Sequence, residues 1–141
     1  MVEITATNSS YTVPTLASNI VKFTVIAGGG AGGDQSSAGN PGGNSSVTAA
    51  SAISATGGAG GQSENNSPDD AQFSYASSNW GAPRLTGDSN GDAYPGNGGQ
   101  IKVGYLDLTG YSTINVQIGA GGNRRYAGNG FSGIVVMEYS A

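Results

Sequence analysis

The chain is expected to fold as a small all-β domain, a sandwich of short antiparallel strands with long glycine-rich loops. Three observations predict this. Apolar residues alternate at a two-residue period, as at Ile114, Val116 and Ile118. No stretch carries an amphipathic helical stripe with caps. Glycine supplies 26 of the 141 residues, and it clusters between the alternating runs, where it punctuates strands.

The run 20–27, rich in β-branched and aromatic residues, reads as the central strand. It places Val21, Phe23 and Val25 on one face and Ile20, Lys22, Thr24 and Ile26 on the other. Before it, 2–6 suits an edge strand, Asn8-Ser9-Ser10 reads as a turn, and 11–14 is a short strand stopped by Pro14. After it comes a glycine-rich arch over 28–43. Two weak strands of small residues follow, 44–49 and 52–56, then a second arch over 57–61. Residues 63–99 lack alternation and hold most of the acids together with Phe73, Tyr75, Trp80 and Tyr94. A long irregular segment in a compact domain is usually functional or disordered, and four aromatics favour an ordered loop. Alternation returns over 100–108, with Ile101, Val103, Tyr105 and Asp107 on one side and Lys102, Leu106 and Leu108 on the other. A turn at 109–112, a half-buried strand through Ile118, a third arch over 119–130 and a final strand over 134–139 complete a single domain spanning 1–141.

Composition narrows the function. Five Lys and Arg stand against nine Asp and Glu, which gives no clustered basic face for nucleic acid. The absence of Cys and His removes disulfides, the usual zinc and haem sites, thiol nucleophiles and imidazole-based triads. No run is long and apolar enough for a secretory signal or a membrane span. Glycine raises the entropic cost of folding, so neighbouring copies in a trimer or fibre are expected to support the fold.

The chain resembles the glycine-rich domains at the distal ends of bacteriophage tail fibres. The likeness lies in Tyr11-Thr12-Val13-Pro14 before a strand, and in Phe23-Thr24-Val25-Ile26-Ala27 running into Gly28-Gly29-Gly30-Ala31-Gly32-Gly33. It continues in Ser45-Ser46-Val47 before Ala55-Thr56-Gly57-Gly58-Ala59-Gly60-Gly61, in 114–122, and in the closing 130–139. The resemblance implies a virion adhesion domain at a fibre tip. Its glycine loops would contact a host cell-surface glycan or outer-membrane protein, commonly as a homotrimer. Residues 63–99 lie outside the shared pattern.

Several constellations have a bland and a sharp reading. Gly28, Gly30 and Gly33 satisfy G-x-G-x-x-G, but 34–41 cannot sustain the helix that a dinucleotide site requires. Asp88-Ser89-Asn90-Gly91-Asp92 starts like a calcium loop, but its ligand set is incomplete and a solvated turn is favoured. Asp69-Asp70 could supply a glycosidase acid, but that chemistry needs two carboxylates facing across a cleft, which the sequence does not show, and adjacent carboxylates at a Ser-Pro turn are usually exposed. No enzyme activity, no cofactor and no metal is therefore expected. The loop aromatics carry more weight, since a ring with a polar handle stacks on sugars or fills protein pockets. The competing reading makes Trp80 and Phe73 a mini-core of their own loop. The expected receptor-binding residues are Tyr75, Trp80, Arg84, Tyr94, Arg124, Arg125 and Tyr126. The glycine arches are either flexible linkers or packed polyproline-II-like runs whose glycines allow close chain approach. The expected function is host attachment from a virion tail fibre. The alternative is a structural virion or filament subunit that uses the glycine loops for subunit contacts.

Overall fold

A computed structural model describes residues 1–33, 37–61, 81, 96–123 and 129–141. The fold is all-β, with no helix among these residues. In chain order the strands are β1 (Val2–Ile4), β2 (Asn8–Thr12), β3 (Ile20–Ile26), β4 (Ser45–Thr48), β5 (Ala52–Ala55), β6 (Ile101–Asp107), β7 (Thr113–Gln117) and β8 (Ile134–Glu138). They form two antiparallel four-stranded sheets, ordered β1-β8-β3-β6 and β2-β7-β4-β5.

The pleat of β3 sets the core. Val21, Phe23 and Val25 are fully buried. Their ladder partners are Leu106, Gly104 and the exposed Lys102 on β6, and Met137 and Val135 on β8. Val47, Ala55, Ile114 and Val116 of the second sheet join the same apolar cluster, so the sheets pack face to face. On the other face of β3, Ile26 lies beside Ile134 in a smaller buried cluster completed by Val136. Gly104 sits opposite Phe23, and a Cβ there would reach Cδ1 of Ile53 at 2.9 Å. That open space lets β5 lean across the side of the core.

One turn departs from expectation. Asn8-Ser9-Ser10 lies inside β2, paired with β7, and is not a free turn. The Asn8 side chain accepts a hydrogen bond from the Ser10 N–H at 3.0 Å. The register shifts between Asn8 and Tyr11, so the local bond produces a bulge and the ladder continues past it. The turn after β6 is held by Asp107, whose carboxylate accepts from the Thr109 hydroxyl and amide. Those bonds hold the Asp107 carboxyl below its ordinary pKa.

The strands give the sandwich two distinct ends. β3, β5 and β7 run into glycine-rich segments, and β4, β6 and β8 emerge from them, all at one end. Met1, Ala141, the β4–β5 turn and the β6–β7 turn lie at the opposite end.

Candidate binding surface at the glycine lattice

The glycine-rich segments are ordered. Segment 27–33 is buried throughout, and its hydrogen bonds repeat every third residue. Ala27 and Gly30 donate to Gln100 and Asn97, at 3.0 and 2.9 Å. Gly28 and Ala31 donate to Gly43 and Asn40, at 2.9 and 3.0 Å. Gly29 donates to Phe131 at 2.9 Å. The carbonyls of Gly28 and Ala31 accept from Gly58 and Gly61, and that of Gly29 accepts from Gly122. A chain that returns to the same neighbour every three residues has a threefold screw, the geometry of polyproline II. Among the described glycines only Gly81 and Gly110 have positive φ, consistent with the left-handed form.

Segment 27–33 is therefore a hub bonded to 39–43, 57–61, 96–100, 119–123 and 129–133. The outer segments also bond to one another. Gly43 donates to Ala120, Gly130 to Gly122, Asn97 to Ala59, and Gly42 to Gly58. The remaining gap, between 129–133 and 96–100, is bridged by Gly81. Its N–H donates to Ser132 and its carbonyl accepts from Gly99, both at 2.8 Å. The ring around the hub is thus closed. Of the two sequence readings of the arches, close packing is the one observed, and it reaches into the stretch first read as wholly irregular.

Close approach dictates glycine here. A Cβ on Gly30 would fall on the carbonyl oxygen of Ala59, and one on Gly28 on that of Ala120, far inside van der Waals contact. With no side chain between segments, N–H groups such as those of Gly28, Gly30 and Ala31 reach a carbonyl of a neighbouring segment. This is how a region without a sheet ladder satisfies its backbone. The G-x-G-x-x-G spelling at Gly28, Gly30 and Gly33 belongs to this hub.

Side chains tie the lattice to the sandwich. The Ser45 hydroxyl, fully buried, accepts from the Gly119 N–H at 2.8 Å. Asn44 accepts from Gly57 at 2.9 Å, Gln100 from Thr56 at 3.1 Å, and Thr7 from Ile118 at 2.9 Å. Ser45→Ala leaves the buried Gly119 donor without its partner. It is expected to cost about 1–3 kcal/mol, seen as a lower urea midpoint at unchanged slope. A midpoint equal to wild type would mean that the hydroxyl does not anchor the lattice.

The described residues of the lattice stop at Gly33, Gly61 and Asn123 and resume at Ser37, Gly96 and Asn129, with Gly81 between the second pair. The residues around these ends are joined to one another. Gly61 donates to Ala31, Gly39 to Gly61, and Asn40 to Asn123 at 3.3 Å. The Asn40 amide also donates to the Asn123 side chain at 2.7 Å. Sequence reasoning did not single out this exposed asparagine pair. The bonds at its two backbones could be inferred only from the lattice, since 83 residues separate them.

The expected receptor-binding residues Tyr75, Trp80, Arg84, Tyr94, Arg124, Arg125 and Tyr126 lie outside the described residues, as do Asp69-Asp70 and the Asp88–Asp92 turn. The exposed residues near these ends include Asn40, Pro41, Asn123, Asn129, Phe131 and Ser132, with Phe131 45% exposed. The surface so defined offers amide donors and acceptors and an apolar ring. No family model matches the chain, and no curated protein or solved structure matches it.

Proposed function

We propose that the protein is a virion-associated adhesion domain of the phage tail-fibre tip type, binding a host cell-surface glycan or outer-membrane protein. The observation that supports this reading is the polarity of the fold. A cross-bonded glycine lattice stands at the end of the sandwich remote from Met1 and Ala141. It includes residues that flank 62–95 and 124–128 in the sequence, and those stretches carry Tyr75, Trp80, Arg84, Tyr94, Arg124, Arg125 and Tyr126. A cross-bonded base under long connections suits recognition, because loops on a stiff scaffold can diversify without costing the fold. Several copies on one fibre would add avidity without new contacts.

The test is binding of labelled protein to a panel of intact bacteria. The expected result is saturable binding to a few strains, competed by their surface extract. Trp80→Ala or Arg124→Ala should weaken it while the domain stays folded. Absence of binding to every strain, with growth into large regular assemblies, would favour a structural virion or filament subunit.

A further inference from the structure

The four sheet edges are not equally protected. β1 has 3 residues and β5 has 4, while β2 is interrupted by its bulge. Short and bulged strands are common ways of blunting an edge. β6 has 7 residues, pairs with β3 in unbroken register along all of them, and contains no proline. On its outward face Ile101, Val103 and Tyr105 are apolar and exposed, Val103 at 58% and Tyr105 at 66%, and the exposed Asp107 ends the row.

The phase of the ladder shows which backbone groups the edge presents. Ala27 donates to Gln100 at one end of β6, and Leu108 donates to Asn19 at the other, at 3.0 and 2.8 Å. In an antiparallel pair, bonded and non-bonded positions alternate. The even-numbered residues of β6 therefore bond to β3, and Ile101, Val103 and Tyr105 direct N–H and C=O to the open side.

We propose that β6 is the contact between two copies of this chain, paired antiparallel about a two-fold axis at Gly104 into a continuous eight-stranded sheet. This register aligns the whole strand, Ile101 with Asp107 of the second copy and Val103 with Tyr105 of the second copy. β-branched and aromatic residues pair favourably across strands. Like charges stay apart, since the two Lys102 residues are offset by four positions. Each Lys102 stands opposite Leu106 of the second copy, on the face of the sheet away from Asp107. Moving the axis to Val103 would bring the two lysines to diagonal neighbours. The joint is a strip roughly 24 Å long and is smaller than a standard interface of about 800 Å² per partner. The dimer is consequently weak and dependent on concentration. Its symmetry is two-fold, unlike the trimer implied by the resemblance, and it does not rest on the adhesion reading.

The test is the mass of the full chain in solution by light scattering and sedimentation over a concentration series. Wild type is expected to pass from monomer to dimer as concentration rises. Val103→Pro removes an N–H that faces the open edge and leaves the β3 ladder intact. Val103→Lys sets a cation into the apolar row and serves if the proline variant fails to fold. Folded variants, judged by circular dichroism and melting temperature, should remain monomeric where wild type is dimeric. A wild type that stays monomeric at the highest soluble concentration would overturn the proposal. So would a dimer or trimer that persists in a folded variant.

Discussion

Gly30→Val is expected to unfold the protein. The added Cβ would fall on the Ala59 carbonyl, and that carbonyl already accepts from Asn97, whose own carbonyl accepts from Gly30. Moving any one of the three segments breaks bonds in the other two. Overpacking costs about 1–3 kcal/mol, and each buried backbone group left unpaired costs about 1–3 kcal/mol more. With two or three such groups affected, the total is about 5 kcal/mol or more, comparable to the whole stability of a typical domain at about 5–15 kcal/mol. The expected readout is insoluble protein or loss of the cooperative urea transition. Gly104→Ala is the control. Its Cβ meets the mobile end of the Ile53 side chain, and about 1 kcal/mol or less should be lost. A folded Gly30→Val protein with the wild-type melting temperature would show that the lattice does not hold the fold together.

Phe23→Ala should be the most damaging truncation in the sandwich. The ring is fully buried on the central strand, opposite Met137 on one side and Gly104 on the other. Gly104 has no side chain to move into the space, so the cavity would persist. Burial loss plus cavity cost predicts about 3–5 kcal/mol, measured as a drop in the urea midpoint. A loss below about 1 kcal/mol would mean that the sheets close over the site and that the core does not depend on this ring.

The strands were legible because their information is local. Alternation in 20–26 assigned both faces of β3, and the faces of β6 followed in the same way. Which face of β6 looks inward was not legible: Leu106 is buried, whereas Val103 and Tyr105 are exposed. Both faces carry apolar residues, so only the second sheet decides between them. Asn8-Ser9-Ser10 has the composition of a turn, but pairing with β7 outweighs the local preference.

The candidate site divides similarly. Residue type in the sequence drew attention to the aromatics and arginines of 75–94 and 124–126, whereas the Asn40–Asn123 pair came from the lattice. By itself the sequence determined the all-β class, the strand positions other than that of β2, and the placement of glycine between them, because backbone freedom and side-chain alternation act within a few residues. Only the tertiary structure decided that the glycine runs form a closed ring around 27–33. No three-residue glycine period marks them in the sequence. Gly28, Gly30, Gly42, Gly57 and Gly119 are each required by a carbonyl on a different segment, and that distant oxygen, not the local chain, fixes where a Cβ cannot go.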